Sequence, residues 1–271
     1  MPGRAGRLTT GRVISADGTA IAFDRSGGGP GIILVHGALT DRAHPTLSGV
    51  AAALAPWFTV YNYDRRGRGD SGNAQPYAAE REIEDLAALV AEAGGSAMVF
   101  GGSSGAGLAL EAAARNPAIS RLAVWEPPYH VDDSAPGLPD DFEARLGALV
   151  TEGRRGDAVE LFMVAAAETP AEAVAAMRRQ PFWAEAEAAA HTLAHEAAVM
   201  GRGNALPADR LAAITQPTLV LAGDRGPAWM INAGKAVAGT IPGAVYRVLE
   251  GQAHNVSPEA LAPELLEFFL V

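Results

Sequence analysis

A serine at position 103 set among glycines, a histidine at 254 and a His-Gly-Ala triplet at 36–38 are the residues of this chain whose types and spacing could do chemistry. Gly101, Gly102, Ser103, Ser104 and Gly105 spell GxSxG, after a short apolar run at 97–100 and before an alanine- and leucine-rich run with helical spacing. That order predicts strand, tight turn and helix, with Ser103 at the apex of a reversal where a Cβ on the neighbouring residues would collide. Acyl transfer by a serine hydroxyl needs an imidazole to take its proton, a group that orients the imidazole, and N–H donors aimed at the developing oxyanion. His254, in GQAHNVSPEAL, falls on the loop after the last predicted strand. His36-Gly37-Ala38 ends an earlier strand, and its glycine turn can aim the Ala38 N–H at the same spot as the Ser104 N–H, which opens a helix. Ala38 and Ser104 are therefore the candidate oxyanion hole. An isolated GxSxG fits a plain glycine-rich turn equally well, so the surrounding elements decide.

Those elements alternate. A hairpin is predicted from strands at 12–17 and 19–24 around Asp17-Gly18, behind an N-terminal arm. Strands follow at 31–37, 58–64, 97–100 and 121–126, with helices at 45–54 and 77–93 and a third after Gly107. Strand signals return at 218–223 and 244–249, with helices at 229–238 and 259–269. Strands alternating with helices imply a mostly parallel twisted sheet of about eight strands with helices on both faces, an α/β fold whose ligands gather at the carboxyl ends of the strands. Between them the alternation stops, and helical patterns occupy 140–151, 157–167, 171–179 and 182–200. The chain thus divides into a core at 1–128 and 208–271 and an inserted helical cap at 129–207.

The chain has 271 residues, no cysteine and a net charge of −10. A thiol nucleophile, a thiolate metal site and a disulfide framework are excluded, and the negative charge disfavours nucleic acid as a partner. Arg4, Arg7 and Arg12 have no apolar run behind them, so a secretory signal is not expected. No stretch approaches about 20 apolar residues, so no membrane span is expected either, and the expected location is the cytoplasm of a bacterium. Oligomeric state is left open.

With these elements in place, LVHGALTD, YDRRGRGDSG, VFGGSSGAG, PTLVLAGD and EGQAHNVSPE, together with the mid-chain helices, closely resemble the α/β-hydrolase fold family. The resemblance runs from about Gly18 to Val271 and implies a cofactor-free serine hydrolase acting on a small ester, lactone or thioester through an acyl-enzyme. It also implies Ser103 as nucleophile and His254 as base. One departure stands out: the family's usual acid lies three residues past the glycine that ends the penultimate strand, and that position here is Gly226. Glu126, at the carboxyl end of the strand after the nucleophile's, is where some members carry the acid, and the adjoining prolines fix its direction. Asp224 is the alternative acid. Pairing of Glu126 with an arginine at the cap hinge, and turn-capping by Asp224, are the structural roles that compete with these assignments.

Other residues point less directly. Asp64 and residues 65–71 look like a structural loop whose charges tie a strand end to its neighbours, and His36 like a packing residue. His191 and His195 share a helical face, but no third ligand accompanies them, so no metal site is expected. His44 and His130 are expected near the pocket mouth, and Trp125, Tyr129, Trp183 and Trp229 could line an apolar acyl pocket or pack in the core. Two other functions compete: a lyase, cyclase or binding protein reusing the fold, and a nucleotide-binding short-chain dehydrogenase, whose GxxxGxG spacing Gly101, Gly105 and Gly107 match. Against the dehydrogenase, none of the tyrosines is followed four residues later by a lysine.

Overall fold

The computed structural model describes residues 8–271. Residues 1–7, the start of the arm expected ahead of residue 12, lie outside the described residues. Strand β1 (Thr9–Ile14) starts ahead of the predicted residue 12 and pairs antiparallel with β2 (Ala20–Gly27), with Ile14 opposite Ala20. The turn between them is held by Ser15 N donating to Thr19 O, 2.8 Å, and Gly18 N donating to Ser15 O, 2.9 Å.

The alternating part follows in order: β3 (Gly31–Val35), α1 (Pro45–Leu54), β4 (Thr59–Tyr63), α2 (Ala79–Glu92), β5 (Ala97–Gly102), α3 (Ser104–Arg115) and β6 (Ile119–Trp125). After the inserted helices α4 (Phe142–Thr151), α5 (Arg155–Ala165), α6 (Ala171–Met177), α7 (Trp183–Ala189) and α8 (Leu193–Met200), a short α9 (Ala208–Leu211) leads back to the sheet. It is completed by β7 (Thr218–Gly223), α10 (Ala228–Thr240), β8 (Val245–Leu249) and α11 (Pro258–Leu270). The strand order is β1-β2-β4-β3-β5-β6-β7-β8 in one 8-stranded sheet. Among the described residues only the β1–β2 and β2–β4 pairings are antiparallel.

Successive strand residues point to opposite faces, and both faces are covered. Ile33, Val35, Val99, Leu122 and Val124 pack beneath α2, α3 and α10 with Leu86, Leu108 and Val237. Ile32, Leu34, Phe100, Ala123 and Leu219 pack on the other face with Leu47, Val50 and Leu54 of α1 and Leu261 and Leu265 of α11. Fully burying each valine, leucine, isoleucine or phenylalanine among these stabilises the fold by roughly 1.5–3 kcal/mol.

The helices between β6 and β7 have an apolar cluster of their own, including Phe142, Leu146, Val159, Val174, Trp183 and Leu193. Their two ends are stitched together by a parallel bridge between His130 and Ala205, with His130 N donating to Asn204 O, 2.8 Å. The single helical pattern expected at 182–200 is instead two helices broken by a 3-10 turn at Ala190–Thr192. Thr192 Oγ1 donates to Ala189 O, 2.8 Å, and His191 Nε2 lies 2.8 Å from Gly67 O, drawing this turn onto the loop after β4. Among the described residues no helix is long and apolar enough to cross a membrane.

Candidate active site

Strand order brings three carboxyl ends together. β5 lies between β3 and β6, with Val35 opposite Gly101 and Gly102 opposite Trp125. The chain leaves β3 for β4 on one side and returns to β5 on the other, so the crevice above β3 and β5 is a topological switch point, where open α/β sheets hold ligands.

Ser103 occupies the turn from β5 into α3 with φ 57° and ψ −129°. For a non-glycine residue that backbone costs on the order of 1–3 kcal/mol. Its surroundings impose it: Ser103 N donates to Trp125 O, 2.9 Å, and Ser103 O accepts from Ala106 N, 2.8 Å. A Cβ on Gly101 would strike Gly105 O and stand 2.8 Å from Ala109 Cβ, and one on Gly105 would strike His36 O and stand 2.6 Å from Val35 O. At Gly102 the nearest obstacle is 4.0 Å away. Close approach therefore requires glycine two residues to either side of Ser103, and not at its immediate neighbour as the sequence suggested.

His254 Nε2 lies 3.1 Å from Ser103 Oγ, and His254 Nδ1 lies 2.7 Å from Glu126 Oε2. Trp125 Nε1 donates to His254 O, 2.9 Å, fixing the loop that carries the ring. Glu126 follows β6 directly at φ 43°, is 0% exposed, and accepts a second hydrogen bond at Oε1 from Gly223 N, 2.9 Å. A carboxylate on Nδ1 selects the tautomer whose Nε2 lone pair faces the Ser103 hydroxyl. His254 is the only charged or chargeable partner of Glu126 among the described residues, so the arginine pairing weighed for it is absent. Asp224 does not reach the imidazole; its Oδ1 accepts from Gly251 N, 2.7 Å, in an exposed turn. A Cβ on Gly226, where the resemblance puts the usual acid, would stand 3.3 Å from Glu126 Oε1.

Gly37 lies against the serine, its would-be Cβ 3.0 Å from Ser103 Cβ. Ala38 and Ser104 line the same cavity as Ser103 and His254. Neither of their N–H groups donates to a protein acceptor among the described residues. Ser104 N belongs to the first turn of α3, where leading N–H groups have no intrahelical partner and carry partial positive charge.

Beneath this loop is a buried ionic cluster. Arg65 donates through Nε and Nη2 to Glu82 Oε2 and Oε1, 2.7 and 2.8 Å, and through Nη1 to Glu196 Oε2, 2.8 Å, and His36 O, 3.1 Å. Arg68 pairs with Glu196 Oε1 and donates through Nη1 to Gly37 O and to Thr40 O, the latter at 3.0 Å. His36 Nε2 lies 2.6 Å from Asn62 Oδ1, and burial pushes the His36 pKa down to about 3, so the ring is neutral. The sequence pointed to the charged loop after β4 as a structural tie, but gave no sign that Glu196 completes it. The one available signal is a lone acidic residue within the apolar stretch Leu193–Met200.

The cavity has a volume of about 470 Å³. Much of its wall comes from Phe142, Phe162, Met163 and Met177 of the inserted helices, together with Leu39 from the loop after β3 and Met230 from α10. Among the described residues its ionisable lining groups are His36, His44, Glu196 and His254, with no lysine or arginine. Burial lowers the His44 pKa. Of the aromatic residues expected there, Trp125 lines the cavity; Tyr129 lies in the main core, Trp183 in the insertion's cluster, and Trp229 Nε1 donates to Glu168 Oε2. His130, expected near the mouth, instead meets the Trp229 ring edge-on at 5.4 Å. His191 sits in the 3-10 turn while His195 in α8 stacks on Tyr77 at 3.7 Å, so the two do not share one regular helix face. The glycines that match a nucleotide-binding spacing are filled from within the protein: Gly105 faces the carbonyls of Val35 and His36, and Gly107 faces Met200. Phosphates have no room there.

Residues 32–264 match the family model described as the alpha/beta hydrolase family. Among solved structures, an alpha/beta hydrolase from Sphaerobacter thermophilus DSM 20745 is 56% identical with a TM-score of 0.90, over 96% of this chain and 100% of that one. A thermophilic esterase from Thermogutta terrifontis has a TM-score of 0.70 at 22% identity, over 97% of this chain and 96% of that one, a likeness of fold. An uncharacterised hydrolase of Bacillus subtilis (strain 168), YraK, is 38% identical over 110 residues, which span 38% of this chain and 39% of the relative's own length.

Proposed function

The chain belongs to the alpha/beta hydrolase family, and we propose that it is a serine hydrolase that cleaves a small, partly apolar ester, lactone or thioester through an acyl-enzyme. The observation that carries this reading is the continuous contact from Ser103 Oγ to His254 Nε2, 3.1 Å, and from His254 Nδ1 to Glu126 Oε2, 2.7 Å. In the proposed cycle, Ser103 Oγ attacks the substrate carbonyl as its proton passes to His254 Nε2. Glu126 holds the Nδ1–H and stabilises the imidazolium, and the carbonyl oxygen takes hydrogen bonds from Ala38 N and Ser104 N. The bond to the leaving group then breaks and that group takes the proton from His254. A water molecule, deprotonated by the same imidazole, releases the acid and returns the proton to Ser103.

The insertion at 129–207 is assigned the role of a cap that excludes water and selects the acyl group, a role supported by the apolar side chains it contributes to the cavity. The test is a fluorophosphonate probe: a single label on Ser103, lost in Ser103→Ala together with hydrolysis of a 4-nitrophenyl ester, is the expected result. Labelling that persists in Ser103→Ala overturns the assignment.

A further inference from the structure

The oxyanion loop is held at three of its carbonyls by two buried arginines, and both arginines rest on one carboxylate from the insertion. Arg65 donates to His36 O and Arg68 donates to Gly37 O and Thr40 O, so the peptide group that carries the Ala38 N–H is held through Gly37 O, and the loop is tied on either side of it at residues 36 and 40. Thr40 Oγ1 adds a further bond to Gly37 O, 3.0 Å. The two oxygens of Glu196 divide between the guanidinium groups, Oε2 to Arg65 and Oε1 to Arg68. Arg65 and Glu196 are 1% exposed and Arg68 5%. Glu82 gives Arg65 a second carboxylate, whereas Glu196 is the only carboxylate paired with Arg68 among the described residues. Burial and the neighbouring Arg65 charge both push the Arg68 pKa down, with the Glu82 charge acting against them, so without Glu196 the Arg68 cation has no directly paired carboxylate among the described residues. Between the held carbonyls, Leu39 has φ 57° and packs against the insertion's apolar cluster.

We infer that Arg68 and Glu196 are positioning residues for the oxyanion hole, through which helix α8 of the insertion sets the direction of the Ala38 N–H. The inference rests on the acyl-transfer reading above and extends it: the insertion forms the roof over the substrate and also completes the machinery beneath it. Gly37 and Thr40 offer their carbonyls to Arg68 from one side, and the Ala38 N–H is left free to face the cavity. Interactions of this kind are felt in the transition state, because the negative charge that needs the Ala38 N–H exists only there.

The experiment pairs kinetics on a neutral 4-nitrophenyl ester with binding of two ketones of the same acyl group. A trifluoromethyl ketone adds to the serine and places an alkoxide in the oxyanion hole, whereas the methyl ketone only fills the pocket. Glu196→Gln is expected to lower kcat by about 10- to 1000-fold, the range that spans weakening to loss of one oxyanion donor, with KM changed less than threefold. The trifluoromethyl ketone should lose affinity by a similar factor and the methyl ketone should not. Arg68→Lys, which keeps the charge but lacks the planar fork, should move the same quantities in the same direction and keeps the question answerable if Glu196→Gln does not fold. Glu82→Gln removes a carboxylate from the same cluster without touching Arg68, and should lower thermal stability while leaving the ratio of the two ketone affinities at the wild-type value. If Glu196→Gln and Arg68→Lys lose stability yet keep wild-type kcat and ketone ratio, the role is structural and the inference fails. If the wild-type protein neither turns over the ester nor binds the trifluoromethyl ketone, the hydrolase reading itself fails.

Discussion

The Glu126 carboxylate and the bare α-carbon of Gly226 are neighbours: a Cβ at 226 would stand 3.3 Å from Glu126 Oε1. On the proposed reading the acid comes from the end of β6, while position 226 past the end of β7, where the resemblance puts the usual acid, carries no side chain. Each feature accommodates the other, because a carboxylate at both positions would put two negative charges against one imidazole.

This relationship predicts a transplant. Glu126→Gln should reduce kcat by about 10⁴-fold, since an amide neither fixes the tautomer nor stabilises the imidazolium. Adding Gly226→Asp to Glu126→Ala should recover at least about tenfold of the loss, as the cleared space lets the new carboxylate approach His254 Nδ1. Asp224→Asn should change kcat less than about threefold, because that side chain serves an exposed turn. Steady-state kinetics on one ester decide all of these; a large defect in Asp224→Asn would displace Glu126 from the proposed role.

The composition of the cavity wall predicts charge selection. Among the described residues no lysine or arginine lines it, and Glu196 adds a carboxylate that is already paired. A substrate carboxylate left unpaired there costs several kcal/mol, and each 1.4 kcal/mol or so is tenfold. An ester whose acyl chain ends in a carboxylate should therefore show kcat/KM about 100-fold or more below its methyl-ended counterpart. Equal values for the pair would contradict the neutral, apolar pocket.

The turn around Ser103 predicts an asymmetric response to alanine. Gly105→Ala should destabilise the protein by about 3 kcal/mol, because the new methyl meets the main-chain oxygens of Val35 and His36, which cannot move aside. Gly102→Ala should stay within about 1 kcal/mol, since the space beside it is open. Urea midpoints at constant slope measure both.

Acid sensitivity should come first from two buried histidines. Burial lowers the pKa of His36 to about 3 and of His195 to about 4, below the ordinary 6.5. Between those values the unfolded chain binds protons that the folded chain refuses, so stability is full above pH 6.5 and declines as the pH falls through this window. By pH 5 each histidine should have removed about 2 kcal/mol. Glu82, whose pKa is held near 2 despite its burial because of Arg65, adds its own loss only below about 4.5. His36→Gln should flatten the dependence of the urea midpoint on pH between 5 and 6.5 by one proton, and an unchanged slope would show that His36 titrates normally.

The parts of the fold that can be read from sequence are those written in local pattern. The apolar runs at 31–35, 97–102 and 218–223 and the spacing of the intervening helices give the parallel sheet and its order of elements. The GxSxG turn and the loop carrying His254 follow from it. Contacts between distant segments are not encoded locally. Glu196 meets Arg65 across 131 residues, and only the folded insertion shows that the pair lies beneath the loop after β3. The break at Ala190–Thr192 is similarly tertiary: the alanine-rich sequence favours helix, and the hydrogen bond from His191 to the loop after β4 accompanies the interruption. At 102 the motif suggests a steric need, but the backbone path leaves space.

The spacing of the site along the chain also has a consequence for biosynthesis. Ser103 and His254 are separated by 151 residues and Glu126 and His254 by 128. Chains emerge from the ribosome amino end first, so β5, the serine turn and α3 exist long before β8 and the loop behind it. On the proposed reading the nascent protein carries its serine without a base, and reactivity arrives only when β8 has paired with β7 and α11 has covered the last open face. A hydrolase assembled in that order stays chemically silent towards cellular esters until its sheet is complete.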